Sequence, residues 1–542
     1  MHRSLFDLNG ASRFPGRAAI FADEMVVSSQ PLAAQIGLEQ LARGGNAVDA
    51  ALAAAISLTV LEPTSNGIGS DLYAIVWHAD ELHGLNASGR SPQALSLNQF
   101  EGQTAPPIEG WDAVVVPGAV SGWQQLSQRF SKFDLGVLCE PAVRLAAKGF
   151  PVTPGVAAAW ARGAERFQKY EGFSETFLFD GHAPHPGQRV QLPDHAATLA
   201  SIGSEGADAF YQGNIAEEIV AQARGAGSVL CMEDLANHTP IWVDPLSTKI
   251  WGGATLHELP PNGQGIAALI GCGVLAQGPD QNQMSIVQNL HYQIEAVKMG
   301  LATAQRVVAD PDHVREDMNA LISNDALTSK ANEIDPTVAG DYGPLVQPHG
   351  GTVYVTAADS QGMMVSLIQS NFMGFGSGIV VRGTGVAMNN RVAGFMLDPS
   401  HPNALAGGKR PLHTILPGLV TRNDEHGNRQ PLITFGVVGG HMQPQGHVQL
   451  LDHLLRQRQD PQSSLDAPRF RVLRDRIVEM EPGFDAKTYE GLKDLGHDVK
   501  MASEPSPYFG GGQIIAVDQS GYIAGSDARQ DGQAAGRSSS GV

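Results

Sequence analysis

Cysteine is nearly absent from this chain. Cys139, Cys231 and Cys272 are its only three, odd in number and widely spaced in 542 residues. They form no metal-like motif, which argues against a disulfide framework and a thiolate zinc cluster. Basic charge is short too: 36 Lys+Arg stand against 55 Asp+Glu, a formal charge of -19. Nucleic acid and anionic membrane surfaces are therefore poor partners, although a local cationic pocket for a small anion remains open. The most apolar helix candidate, AVDAALAAAISLTVL, is too short and too alanine-rich to span a bilayer. The first residues, MHRSLFDLNGASRFPGR, contain no apolar h-region, so a soluble, cytoplasmic protein is expected. No internal repeat occurs, and the tail GQAAGRSSSGV reads as loose chain.

What is present is a globular composition, 42% hydrophobic and 17% charged, in a chain longer than one usual core. Two domains, or one large layered one, are expected. PLAAQIGLEQLARGG predicts a helix with a glycine stop, and Asn46 can cap a second helix, AVDAALAAAISLTVL. The glycine loop TSNGIGSD and the strand pair LYAIVW and LHGLNAS follow. From about Leu135 to Arg315 the pattern is mostly helical. From Thr352 onward short strands dominate, among them TVYVTAA, MMVSLIQS, PLITFGVVGG and GQIIAVD, with helices such as HVQLLDHLLRQR between them. Helices first and antiparallel strands later suit stacked sheets between helical layers. Thr328 to Gly351 is polar, without a periodic element, and forms the best boundary in the sequence.

That boundary ends in PHGGTVYVTAADSQG, a hairpin in which Thr352, Tyr354 and Thr356 alternate with Val353, Val355 and Ala357. Two glycines and a hydroxyl residue open its first strand. An ordinary turn explains this, and so does a chain that cuts itself and makes Thr352 a new N-terminus. A threonine hydroxyl inside a chain is a poor nucleophile. At an N-terminus its own α-amine, which titrates near 7.7–8.0, can take the hydroxyl proton. Gly350 and Gly351 carry no side chain to block attack on the Gly351 carbonyl.

Seven stretches in order favour the second explanation. GGNAVDAALAAAISLTVLEP, VPGAVSGW, PPNGQGIAAL, GGTVYVTAADSQGMMVSLIQSNFMGFGSG, KRPLHTILP, VVGGHMQPQGH and SDARQDGQAAG together resemble the gamma-glutamyltransferase family of N-terminal nucleophile hydrolases. The resemblance implies an α+β fold, a four-layer αββα sandwich, and a precursor that cleaves itself between Gly351 and Thr352. The products would be a large subunit, 1–351, and a small subunit, 352–542, interleaved in one fold, and a dimer of processed heterodimers is compatible with it.

Residue by residue, the resemblance implies that Thr352 is the nucleophile and that Ser370 hydrogen-bonds it. Gly439 and Gly440 would supply backbone N–H groups to the oxyanion. Arg90, in NASGRSP, matches an arginine that grips a substrate carboxylate, a task suited to a planar guanidinium. His413 and Thr414 stand where the family has a paired serine motif, with a hydroxyl kept only at Thr414.

The departures bear on substrate. Glutamyl-transferring members carry a glutamine and an aspartate that hold the donor's α-ammonium, where this chain has Arg391 and Gly394. Phe372 stands where an asparagine helps hold the donor, with Asn371 adjacent. The site is therefore expected to take a small-molecule amide whose acyl group lacks an α-ammonium and bears a carboxylate between Arg90 and Arg391. This pattern resembles the oxamate amidohydrolase-like branch, and glutaryl-type acylase substrates fit the same argument. No metal and no organic cofactor are implied.

Three other readings are weaker. NGQGIAALIG superficially resembles a dinucleotide-binding turn, but it follows Pro260-Pro261 rather than a clear strand and lacks a βαβ frame. HAPH at His182 and the pair His441/His447 match no standard metal spacing and read as loop histidines. An uncleaved homologue acting only in binding is opposed by the intact Thr352, Ser370 and glycine pair.

Overall fold

The computed structural model describes residues 17–343, 350–504 and 506–539. Two seven-stranded sheets stack face to face, with helices on both outer faces. This is the four-layer αββα sandwich of an α+β protein. In the first sheet the strands run Gln533–Arg537, Glu24–Ser28, Gly351–Ala358, Met364–Phe372, Asp71–His78, Glu81–Ala87 and Ile241–Val243. In the second they run Ile20–Ala22, Gly521–Ser526, Gly512–Asp518, Arg429–Val437, Gly418–Asn423, Ala254–Glu258 and Leu246–Lys249. Both sheets thus mix strands from before and after Thr352.

The helix Ala47–Leu61 shows why the layers form. Asn46 caps it, its side chain accepting from the Val48 and Asp49 N–H groups, and Asp49 returns the bond to the Asn46 N–H at 2.8 Å. Every residue of this helix is buried, as expected of one apolar all round. Its small side chains pack against Val353, Val355 and Ala357 on one face of the first sheet. Tyr354 points the other way, into the layer between the sheets, with Ile368, Leu419 and Ile515. The Thr/Tyr–Val/Ala alternation of this hairpin therefore separates a helix layer from a facing sheet, not core from solvent. Thr356 meets Thr434 of the second sheet through a 2.7 Å hydroxyl bond.

Several sequence expectations change here. The largely helical middle contains the short pair Phe150–Pro151 and Arg189–Val190 and, within the two large sheets, the strands Ile241–Val243, Leu246–Lys249 and Ala254–Glu258. They run for two to five residues each, too short for apolar periodicity to show. The helix Asn324–Glu333 runs into the segment expected to lack periodic structure. The tail is not loose throughout: Gln533–Arg537 pairs with Glu24–Ser28 as an edge strand. The strand Ala254–Glu258 does precede the glycine turn at Asn262, but it pairs antiparallel on both sides, which is no dinucleotide-binding frame. Pro348 and His349 lie outside the described residues.

Candidate active site

Thr352 sits at an irregularity. The strand Gly351–Ala358 pairs with Met364–Phe372 in regular register from Val353↔Gln369 onward, and the register shifts between Gly351 and Val353. Such a bulge re-aims the residue it contains. Thr352 is buried, and its Oγ1 donates to Ser370 Oγ at 3.2 Å. Ser370 Oγ donates in turn to the Gly351 carbonyl oxygen at 2.6 Å and accepts from the Phe372 N–H at 2.8 Å. The carbonyl of the Gly351–Thr352 peptide bond is thus polarised by a hydroxyl that also touches the adjacent threonine. Phe372 is held at φ 85, a left-handed conformation that costs a bulky residue about 1–3 kcal/mol.

The two glycines before Thr352 allow close approach. A Cβ at Gly350 would lie 2.9 Å from Gly440 Cα, and one at Gly351 would lie 2.9 Å from the Gly374 backbone nitrogen. Gly439 and Gly440 follow the strand Arg429–Val437 with φ 116 and 65. Their carbonyls accept from Met442 and Gln443 N–H groups at 3.2 Å each. Their own N–H groups have no acceptor among the described residues. Gln264, which the sequence reading did not single out, donates Nε2 to the carbonyls of Thr414 at 2.8 Å and Gly440 at 3.2 Å. It lies in the quoted stretch PPNGQGIAAL, the only signal that could have found it.

Behind Ser370 lies a buried charge cluster. Arg391 donates Nη1 to Thr414 Oγ1 at 3.2 Å and Nη2 to the Ser370 carbonyl at 3.4 Å, and its guanidinium lies 4.8 Å from the centre of the Phe372 ring. Its Nε faces Asp71 Oδ2 at 3.5 Å. Burial lowers the Arg391 pKa to about 10, with Asp71 opposing the shift, so the group stays charged at neutral pH. Asp71 also accepts from the Gly89 and Gly118 N–H groups and from His413 Nε2 at 2.9 Å. Burial, with Arg391 adding, lowers the His413 pKa to about 4, which leaves it a neutral donor stacked on Tyr73. Asn371 is buried beside this cluster; its Oδ1 accepts from Ser70 Oγ at 2.7 Å and its Nδ2 has no partner.

The structure therefore gathers Thr352, Ser370, Asn371, Arg391, His413, Thr414 and the glycine pair. It does not bring Arg90 to them. Arg90 Nη1 is bound to Asp310 Oδ2 and the Gly408 carbonyl, both at 2.9 Å, in a separate depression with Arg410 and His238.

Thr352 opens instead onto a cleft of about 340 Å³, lined by Gly351, Gly439, Glu62, Ser65, Arg162, Arg166, Arg529 and Asp531 among others. Glu62 Oε2 accepts from Ser29 Oγ at 2.7 Å, and burial lifts its pKa to about 7 against the effect of its serine partners.

The histidines flagged in the sequence serve other ends. His441 pairs with Gln264 at 2.8 Å, and His447, inside the helix Met442–Leu451 rather than in a loop, pairs with Glu258 at 2.6 Å. His182 lies in an exposed turn. Elsewhere His291, Glu295 and His497 converge, but Lys298 Nζ already sits 2.8 Å from Glu295.

A stacked pair of sheets between helices, with a buried threonine behind two glycines, is the arrangement of an N-terminal nucleophile hydrolase. Residues 33–537 match the gamma-glutamyltranspeptidase family. The chain is 34% identical to an oxamate amidohydrolase proenzyme of Klebsiella pneumoniae over 94% of its own length and 98% of the relative's. It is 30% identical to the glutathione hydrolase-like YwrD proenzyme of Bacillus subtilis, covering 96% and 99%. Its fold superposes on the crystal structure of cephalosporin acylase from Bacillus halodurans with a TM-score of 0.91 and 40% identity, over 99% of this chain and 100% of that one. The protein belongs to the gamma-glutamyltranspeptidase family and is an enzyme of the N-terminal nucleophile hydrolase class.

Proposed function

We propose that the chain is a self-processing amidohydrolase that cuts itself between Gly351 and Thr352, into segments 1–351 and 352–542, and then hydrolyses an amide whose acyl group bears a carboxylate but no α-ammonium. Oxamate and glutaryl-type amides are its candidate substrates. In the first step Thr352 Oγ1 attacks the Gly351 carbonyl carbon, whose oxygen already accepts from Ser370. The amide becomes an ester, and water resolves it to leave Thr352 with a free amine. In turnover that amine takes the hydroxyl proton as Oγ1 attacks the substrate carbonyl. The Gly439 and Gly440 N–H groups receive the oxyanion, the protonated amine departs, and water releases the acid. Donors of this kind are worth about 10²–10³ in rate. The scheme draws on no metal or organic cofactor, and its partners are the small-molecule amide and the two segments of the chain itself. Among the described residues no helix is long and apolar enough to cross a membrane.

The observation that carries the substrate reading is Arg391. A buried cation stands against Ser370 where glutamyl-transferring relatives place the α-ammonium's partners, and the nearby Asp71 is already engaged by Arg391, His413 and two backbone amides. An ammonium placed there would meet like charge and no free acid. Gamma-glutamyl hydrolysis is the second reading, because Glu62 and Asp531 line the cleft, each of them also accepting hydrogen bonds from the protein.

Two measurements test the proposal. N-terminal sequencing of the smaller fragment should begin at Thr352, and Thr352→Ala should leave one full-length band. Purified enzyme should release ammonia from oxamate or amine from a glutaryl anilide faster than from a gamma-glutamyl anilide. The reverse ranking, with strong transfer to dipeptides, would overturn the substrate reading.

A further inference from the structure

The charged groups lining the cleft beside Thr352 are nearly all engaged by the protein itself. Arg529 is clamped by Glu481 and by Asp527, whose Oδ1 lies 3.1 Å from Nη1. Arg166 Nε donates to Glu109 at 2.8 Å. Asp531 accepts from the Gly155 and Val156 N–H groups at the start of the helix Pro154–Phe167. Glu62 is buried and held by Ser29. Arg162 is the exception: it is exposed to the cleft and makes no hydrogen bond or ion pair with any described residue.

Its position in the helix is not incidental. Gly155, Ala159, Arg162 and Arg166 all line the cleft, at the three- and four-residue spacing that puts side chains on one helix face. The same helix is pressed onto the cleft floor at Gly163, where a Cβ would lie 2.3 Å from the Phe375 ring. The guanidinium therefore hangs from a fixed face over the space that Thr352 opens into. Beyond the cleft lining, Arg391 is buried against Asp71, and Arg90 is bound to Asp310 in another depression, so neither is free for a ligand here.

We propose that Arg162 recognises the carboxylate of the acyl donor. This rests on the reading that the donor carries a carboxylate. The groups hydrogen-bonded to Thr352 itself, Ser370 and Gln443, are uncharged. A carboxylate next to the reacting carbonyl, as in oxamate, meets only neutral donors there, whereas one at the far end of a short methylene spacer meets Arg162. The class favoured is accordingly the monoamide of a dicarboxylic acid with such a spacer, and the cleft volume lies within the ~300–1,000 Å³ typical of small-molecule sites.

The test uses the processed enzyme with glutaryl anilide and its uncharged methyl ester. In Arg162→Ala the preference for the acid over the ester, as a ratio of kcat/KM, should fall about 10–100-fold, the size of a lost charge-assisted hydrogen bond. The loss should lie mainly in KM, and Arg162→Lys should recover part of it. A ratio unchanged in both variants, in enzyme that still processes itself, removes Arg162 from recognition while leaving the broader reading in place. A wild-type enzyme that releases no amine or ammonia from any carboxylate-bearing amide takes down both.

Discussion

The Ser370 hydroxyl donates to the Gly351 carbonyl oxygen at 2.6 Å while accepting from Thr352 Oγ1 at 3.2 Å. One side chain thus touches both groups of the proposed self-cleavage, the Gly351 carbonyl and the Thr352 hydroxyl. Removing it deprives the developing oxyanion of a donor already in place. Ser370→Ala should slow cleavage of the precursor by about 10²–10³-fold, read as the half-life of the full-length band after synthesis. Cleavage at the wild-type rate would assign the carbonyl's activation to another group.

Gly439 is proposed to hold the oxyanion during turnover, and its φ of 116 is closed to side chains. Gly439→Ala should lower stability by about 1–3 kcal/mol through backbone strain and reduce kcat more than it changes KM. Denaturant unfolding and steady-state kinetics read the two effects separately.

Glu62 should make stability fall as pH rises. Its pKa in the folded protein is about 7, against an ordinary value of 4.5. Between those values the unfolded chain has lost this proton and the folded protein keeps it, so the folded state loses ground with rising pH. The effect is on the order of 3 kcal/mol, complete above pH 7 and absent below 4.5. Glu62→Gln should remove this contribution, which appears as the difference between wild-type and variant unfolding midpoints across that window.

Asp71 neutralises Arg391 in a site closed to solvent. Asp71→Asn should therefore destabilise the protein by about 3–5 kcal/mol, because it leaves a buried cation unpaired. Pairing it with Arg391→Met should restore much of the loss, measured by urea unfolding. A single substitution as mild as a surface change would mean that Arg391 finds another counter-charge.

Much of this was legible in the sequence. Asn46 followed by an alanine-rich apolar run predicts the helix Ala47–Leu61 because cap and composition agree. The alternation from Thr352 to Ala357 and the turn at Asp359–Gly362 predict the hairpin that opens at Thr352. What the sequence could not show was which polar groups face one another. Asp71 sits in a strand that reads as plainly apolar, yet it decides the fate of Arg391, whose partner comes from 320 positions away in the chain. Arg90 follows the same logic: its type suits a carboxylate, and the fold spends it on Asp310. Arg162 and Glu62 carry no local pattern at all: one stands on the helix Pro154–Phe167 and the other ends the helix Ala47–Leu61, and only the fold brings both to one cleft.

The interleaving of strands has a mechanical result. The strands Gly351–Ala358 and Met364–Phe372 are flanked by Glu24–Ser28 and Asp71–His78, and Gly418–Asn423 borders Ala254–Glu258. A cut ahead of Thr352 would leave two polypeptides woven through each other, able to part only by dismantling both sheets at once. Nicking would then be invisible to size-exclusion chromatography under native conditions, and reassembly from denatured halves would be far harder than the folding of the uncut chain.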